Sequence, residues 1–118
     1  MKINHMIILL LLFFPAVSLA GGPPQVSGYG VKSCLVYSQT AGAVELGEGE
    51  ALAPYLRYRE WLAGLVTGLS LTTGEDMLQE LEFDQAMERI TLFCEAHPAD
   101  DFFTAAMDLL KRLNKRDQ

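Results

Sequence analysis

Histidine and cysteine, which carry much of the catalysis and metal binding in proteins, are scarce in this chain of 118 residues, which has two of each. The cysteines, Cys34 and Cys94, are 60 positions apart, so they form no C-x-x-C redox motif. The chain also has no H-E-x-x-H zinc motif and no glycine-rich phosphate loop after a strand. We therefore expect no enzymatic activity, no metal site and no cofactor.

Basic residues are also in short supply, with nine Lys and Arg against fifteen Asp and Glu. This balance disfavours nucleic acid as a partner, because phosphate binding needs clustered Lys and Arg. The basic residues that do cluster lie at the end of the chain, at positions 111–112 and in a short tail, residues 115–118. Cations there complement the dipole at the end of a helix, so they predict no separate binding site.

The N-terminal segment has the features of a cleavable signal peptide. A short, weakly positive start precedes an apolar run at residues 6–14, and Pro15 interrupts that run. Ser18 and Ala20 are small residues at the two positions before the cleavage site that signal peptidase recognises. We therefore expect cleavage between Ala20 and Gly21 and export to the periplasm. The run is shorter than the roughly 20 residues that cross a membrane, so no stable membrane anchor is expected.

Removal of residues 1–20 takes away Lys2 and changes the net charge of the chain from −6 to −7. Both cysteines remain in the mature chain, outside the cytoplasm, where thiols are oxidised. A cysteine pair in an exported chain of this size predicts a disulfide between Cys34 and Cys94. Closing a loop of this length stabilises a fold by roughly 4 kcal/mol in the chain-entropy model.

Helical periodicity dominates the mature chain, and no window alternates with period two for long enough to predict a strand. Gly and Pro predict a flexible leader at residues 21–30, followed by a helical domain at 31–114. The first helix is expected to end near Gly42. Its predicted inward residues are Val31, Cys34, Leu35 and Ser38.

The second predicted helix is the longest, with Pro54 in its first turn and its end near Leu71. Its apolar stripe is broad enough to predict that most of the helix is enclosed. Gly64 and Gly68 lie four residues apart and predict a groove where another helix approaches closely. The residues of the stripe are Tyr58, Trp61, Leu62, Leu65, Val66 and Leu69.

Two further helices complete an all-α, four-helix domain stapled by the disulfide. Asp84 is the expected N-cap of the third helix, and Asp100 and Asp101 are expected to open the fourth. The third helix should bury Phe83, Met87, Ile90 and Cys94. The fourth should bury Phe102, Ala106, Leu109, Leu110 and Leu113.

His97 is the only histidine of the predicted mature chain, and its place beside Pro98 favours a role at a helix end over a catalytic one. The paired carboxylates of the acidic segments lack the alternating oxygen ligands of a calcium loop, so they predict a solvated face. At pH 2 to 3 most carboxylates take up protons. Ion pairs of Arg57, Arg59 or Arg89 would then weaken, and apolar surface could open.

The arrangement of these motifs resembles the HdeA/HdeB family of periplasmic acid-stress chaperones. The resemblance rests on a cysteine in the first helix, on residues 58–64 and on the aromatic-Cys-x-x-His-Pro turn at residues 93–98. It implies a small helical fold with one disulfide, a dimer at neutral pH, and exposure of apolar surface to unfolded client proteins in acid. Trp61, Leu65 and Leu69 would then supply client-binding or dimer surface, and their spacing fits a buried or an exposed stripe.

A second, weaker resemblance is to the Rap1a/Tai immunity proteins, which neutralise secreted cell-wall-degrading effectors in the periplasm. It rests on residues 58–68, on the Ala-His-Pro turn and on the closing Ala-bearing amphipathic helix. The usual additional cysteine near the C-terminus of that family is missing here. This resemblance implies a fold that stays closed and binds one partner tightly through a preformed aromatic or acidic patch.

Overall fold

Residues 21–115 are described by the structure, a computed structural model, and the predicted signal peptide and the last three residues of the tail lie outside that range. Within it the chain forms four α-helices, and no β-strand occurs among these residues. The helices are α1 (Cys34–Glu45), α2 (Leu52–Thr73), α3 (Phe83–Ala96) and α4 (Phe102–Leu113). Two 3-10 turns, Gly28–Val31 and Gly49–Ala51, precede α1 and α2. The predicted all-α class and the four helices are confirmed.

The predicted disulfide is present and joins α1 to α3. Cys34 and Cys94 are both fully buried, and their Cα atoms are 4.7 Å apart. The backbone N–H of Cys34 also donates to the carbonyl of Asp100 at 2.7 Å, and the N–H of Phe102 donates to the carbonyl of Lys32 at 3.0 Å. The start of α1 is therefore fixed covalently to α3 and by hydrogen bonds to the turn before α4.

Aromatic rings fill the centre of the core. The ring centroid of Tyr37 lies 4.9 Å from those of both Tyr58 and Phe102, and Tyr58 lies 5.0 Å from Phe102. The hydroxyl of Tyr37 lies 2.9 Å from that of Thr91, which satisfies its polar end inside the core. No polar or charged residue among residues 21–115 is buried. The core is therefore held by apolar contacts, by the disulfide and by the hydrogen bonds of the Tyr37 hydroxyl.

The predicted inward face of α1 is confirmed at Cys34 and wrong at Val31 and Leu35, whereas Ser38 is partly buried with its hydroxyl oxygen enclosed. Val31 and Leu35 are 52% and 53% exposed, respectively. The helix begins at Cys34, where the Ser33 hydroxyl caps it by accepting from the N–H of Val36 at 3.2 Å. This start orients the large ring of Tyr37 inward and turns Leu35 to the surface. The buried residues of α1 are Cys34, Tyr37 and Ala41.

The expected enclosure of α2 is also wrong, since only three of its residues are buried: Tyr58, Leu62 and Val66. No helix approaches Gly64 or Gly68, because a Cβ atom added at either position would meet nothing within 4 Å. The two glycines lie on an exposed face of α2. The stripe of small residues therefore faces outward, and the helix packs through one face only.

The predicted N-cap of α3 is wrong, whereas α4 begins directly after Asp100 and Asp101, as predicted. Glu82 occupies the N-cap position of α3 without a side-chain hydrogen bond, and Asp84 lies in the first turn, where it pairs with Arg59 at 3.3 Å. In α4 the carboxylate of Asp101 accepts from the N–H of Thr104 at 2.7 Å. Ala86, Met87, Ile90 and Cys94 are buried in α3, as are Phe102, Ala105, Ala106, Leu109 and Leu110 in α4.

The expected flexible leader is partly folded, because the 3-10 turn Gly28–Val31 packs on α2. Gly30 is buried there, and the Tyr29 ring meets that of Tyr58 edge-on at 4.8 Å. The folded unit thus begins three residues before the predicted boundary. None of the helices in residues 21–115 is long and apolar enough to cross a membrane.

Candidate protein-binding surface

Trp61 is held between the N-terminal turn and α4. Its indole Nε1–H donates to the carbonyl of Ser27 at 2.9 Å, and its ring meets Phe102 and Phe103 edge-on at 5.9 and 6.3 Å. Gly30 lies so close to the indole that an added Cβ would be 2.1 Å from Cζ2 of Trp61. The Trp61 ring is therefore partly buried and fixed in orientation, neither free on the surface nor enclosed in the core.

An open cleft of about 440 Å³ lies beside this ring, and we call it the Trp61 cleft. Trp61 and Leu65 line it from α2, and Phe103 lines it from α4. Its rim is formed by residues 25–27, Glu60 and Gly64. Leu69 is partly buried against the core and is not among the residues that line the cleft. The structure thus brings together two of the three predicted partner-binding residues.

A second depression runs between α3 and α4, and we call it the α3–α4 groove. It encloses about 350 Å³. Leu92, which is 63% exposed, and the partly buried Phe93 line one side of it. The other lining residues are Arg89, Ala105, Asp108, Leu109 and Arg112. In the sequence, the groove is indicated by Leu92 and Phe93, two apolar residues of α3 that lie outside the predicted buried stripe.

A third depression of about 320 Å³ connects the other two. It shares Phe93 with the α3–α4 groove and Phe103 with the Trp61 cleft, and Met107 and Lys111 also line it. The three depressions therefore adjoin one another across α2, α4 and α3. We call this surface the apolar band and define it by Trp61, Leu65, Phe103, Met107, Phe93 and Leu92.

Charge is distributed unevenly around the apolar band. Arg89 and Arg112 line the α3–α4 groove, and Lys111 lines the adjoining depression. Arg112 donates through Nε to Asp108 at 2.7 Å. Arg89 has no ion-pair partner within residues 21–115. At the opposite end of the band, Glu60 gives the rim of the Trp61 cleft a negative charge.

His97 lies at the C-terminal end of α3, as predicted. Its Nδ1 is 2.9 Å from the carbonyl of Phe93, and its ring stacks on that of Phe93 with centroids 4.2 Å apart. The imidazole therefore completes the helix end and supports one residue of the apolar band. In the part of the chain that the structure describes, no group of three or more His, Cys, Asp or Glu could hold a metal ion.

The aromatic core below the band contains three tyrosines with altered acidity. Burial is the main cause that raises the pKa of Tyr37, and the Thr91 hydroxyl partly opposes the rise. Burial also raises the pKa of Tyr55 and of Tyr58. The neutral form of these tyrosines is therefore favoured. Tyr58 packs against Phe102, and Phe102 in turn contacts the Trp61 ring.

Comparison of the chain with protein-family models, with curated proteins and with solved structures gives no match. The chemistry of the surface must therefore be judged from its own residues. Those residues offer aromatic rings, a methionine and leucines beside a few charged groups. Such a composition suits contact with the apolar side chains of another protein.

Proposed function

We propose that the mature chain is a non-enzymatic, periplasmic protein-binding domain of the HdeA-like type, and that the apolar band is its binding surface. The observation that carries the proposal is a row of three adjoining depressions that share Phe93 and Phe103 as lining residues. Leu92 is exposed and the other five residues of the band are partly buried. Adjoining apolar surface on a small protein commonly marks an interaction site. Trp, Phe and Met are enriched in interfaces, and Trp is among the residues that contribute most of the binding energy.

The support beneath the band suits this role. Trp61 is fixed by its hydrogen bond to Ser27 and by contacts with Phe102 and Phe103. A side chain already held in one orientation loses less conformational entropy when a partner binds. Leu69 contributes from the core side of α2 and supports the helix that carries Trp61 and Leu65.

An acid-stress chaperone is the first specific form of this function. It is supported by the resemblance of residues 93–98 to the family turn and by the acidic composition, which makes the net charge strongly dependent on pH. The described ion pairs are exposed, and the described core has no buried charged residue. We therefore propose that clients bind the folded band, without prior unfolding of the domain. The disulfide is compatible with export to the periplasm.

A periplasmic immunity protein is the second form, and the preformed Trp61 cleft favours it. A rigid aromatic cleft suits one partner bound tightly, as the weaker resemblance implies. The two forms differ in their response to clients. A chaperone protects unrelated unfolded proteins in acid, whereas an immunity protein binds one cell-wall-degrading effector and gives no such protection.

The proposal is tested by light scattering of citrate synthase that is exposed to pH 3 and then neutralised, with and without the mature chain. We expect the mature chain to suppress aggregation and the double variant Leu92→Ser, Met107→Ser to lose most of this effect. Leu71→Ser is the matched control, because Leu71 is 80% exposed and lies outside the apolar band. Equal activity of the double variant and the control would exclude the band as the client site. Absence of protection by the wild-type chain would exclude the chaperone form.

A further inference from the structure

We propose that the α3–α4 groove binds an amphipathic helix of a partner protein whose apolar stripe is flanked by Asp or Glu. This inference rests on the proposed function and adds the chemistry of the partner. It is carried by two features of the groove, an apolar floor between two helices and an excess of cations along its walls.

The shape of the groove suits a helix. Ala105 and Leu109 lie four residues apart on α4, are buried and form the floor, and Leu92 and Phe93 project from α3. The small side chain of Ala105 leaves room for side chains of a third element to enter between α3 and α4. An apolar groove between adjacent helices is a recurrent site for amphipathic helices, which anchor through residues at i, i+3, i+4 and i+7.

The charge of the groove selects an acidic partner. Arg89 extends from α3 and Arg112 from α4, so each wall carries one guanidinium. The hydrogen bond from Arg112 to Asp108 uses Nε, and its terminal nitrogens have no acceptor within residues 21–115. Lys111 adds a third cation at the adjoining depression. Arg89 has no ion-pair partner within residues 21–115, and Arg112 offers a carboxylate the terminal nitrogens that its bond to Asp108 leaves open. Guanidinium groups bind carboxylates with charge-assisted hydrogen bonds.

Two other occupants fit the groove less well. A second copy docked groove to groove about a two-fold axis would bring its own Arg89 and Arg112 near the same cations. An anionic membrane is flat, whereas the groove is concave. A helix with separate acidic and apolar positions meets the floor and both walls without these conflicts.

The probe for this inference is a synthetic 18-residue helical peptide with Leu along one face, Glu at the flanking positions and blocked ends. A matched peptide has Lys in place of Glu. Binding to the mature chain is measured by isothermal titration calorimetry at pH 7, where the Glu side chains are ionised, at low and at moderate salt. We expect the Glu peptide to bind at least tenfold more tightly than the Lys peptide, with affinity falling as salt rises.

Variants locate the site of binding. R89E/R112E should weaken the Glu peptide at least tenfold, and R89Q/R112Q, which removes charge without reversing it, should weaken it less. R57E is the control, because Arg57 lies against Tyr29 and outside the groove. Far-ultraviolet circular dichroism checks that every variant is folded.

Equal affinity for both peptides, or full affinity of R89E/R112E for the Glu peptide, would overturn the inference. Binding to phosphatidylglycerol vesicles in preference to the Glu peptide, or dimerisation that R89E/R112E abolishes, would also overturn it. The two proposals can fail separately. If Leu92→Ser, Met107→Ser loses citrate synthase protection but the wild-type chain shows no preference for the Glu peptide, the acidic partner is excluded and the proposed function stands.

Discussion

Gly30 packs against Trp61 where the N-terminal turn meets α2. The backbone of Gly30 lies directly against the six-membered ring of Trp61, in the space that a Cβ atom would need. The indole in turn contacts Phe102 and Phe103. One glycine therefore allows the turn to pack on α2 and fixes the ring that lines the Trp61 cleft.

Replacement of this glycine is our first prediction. Gly30→Ala places a methyl group 2.1 Å from Cζ2 of Trp61, so the turn or the ring must move. We expect the free energy of unfolding to fall by about 1 to 3 kcal/mol, as in other overpacked sites. Urea denaturation at neutral pH, followed by tryptophan fluorescence, measures the change.

Gly64→Ala is the matched control for this substitution. Gly64 is exposed in the middle of α2, and an added Cβ meets nothing within 4 Å. Because Ala is a better helix former than Gly, we expect the free energy of unfolding to rise by roughly 0.5 to 1 kcal/mol. An equal change in the free energy of unfolding, in the same direction for both substitutions, would contradict the close packing of Gly30 against Trp61.

The buried tyrosines give a second prediction, an alkaline loss of stability. Burial raises the pKa of Tyr37, Tyr55 and Tyr58 in the folded protein, so the folded state retains protons that the unfolded state loses. This contribution is constant at lower pH, and stability falls once the pH rises above about 10, where tyrosines of the unfolded chain ionise.

Guanidinium denaturation at pH 9 and pH 11 measures this effect, and absorbance at 295 nm follows tyrosine ionisation. Tyr37→Phe removes the most strongly shifted hydroxyl, so its stability should fall less between the two pH values. Tyrosines that all ionise near pH 10 in the folded protein would contradict the buried aromatic core.

At the scale of the helices, the sequence was most informative where apolar residues form a narrow stripe. The inward faces of α3 and α4 follow the predicted positions closely, because polar residues separate the stripe from the remaining face. In α1 nearly every position is apolar or small, so periodicity alone does not define the inward face. There the Ser33 cap and the fit of Tyr37 among the aromatic rings decide the orientation.

Prediction of the candidate site was limited for a similar reason. Trp61 and Leu65 could be selected from the stripe of α2, and the structure places both in one cleft. Phe103 and Met107 of α4 lie beside them only because α4 packs next to α2 and α3. This packing is part of the tertiary structure, and the periodicity of a single helix does not predict it. Gly64 and Gly68 show the reverse case, since a spacing typical of close helix packing occurs here on an exposed face.

The Cys34–Cys94 disulfide gives a third prediction, at the level of paired helices. It joins the first turn of α1 to the last turn of α3 across 60 positions of the sequence. We expect Cys34→Ala, Cys94→Ala to lower the free energy of unfolding by roughly 4 kcal/mol, because the unfolded chain gains the freedom of an open loop. Urea denaturation measures the loss.

Reduction provides the control for this prediction. Dithiothreitol should destabilise the wild-type chain and should not change the double variant, which has no cysteine left. Free thiols in the unreduced mature protein, or equal stability of the wild type and the double variant, would contradict the proposed role of the bridge.

At the scale of the whole molecule, a fold whose described residues, 21–115, include no buried charge is combined with a strongly acidic composition. The described ion pairs, Arg59 with Asp84 and Arg112 with Asp108, are both exposed, and such pairs contribute little to stability. Protonation of carboxylates weakens these two pairs and the local hydrogen bonds that Asp101 and Asp76 accept from backbone N–H groups, whereas the buried apolar contacts between the helices remain. The disulfide and the aromatic core do not depend on pH in the acidic range.

Persistence of the fold in acid is our fourth prediction. The mature chain should keep its near-ultraviolet circular dichroism, which reports fixed aromatic side chains, from pH 7 to pH 3. Binding of the dye ANS should not rise sharply over the same range. Loss of the aromatic signal together with strong ANS binding at pH 3 would indicate a molten state and would contradict binding through a preformed surface.

The central claim is that the apolar band of the folded domain binds other proteins, and hydrogen–deuterium exchange tests it most directly. The mature chain is measured alone and with excess reduced, carboxymethylated α-lactalbumin, an unfolded client, at pH 3 and at pH 7. We predict client-dependent protection in segments 61–65, 89–93 and 103–111, with no change around Leu71. Protection confined to other segments, or none at either pH, would contradict the assignment of the band as the binding surface.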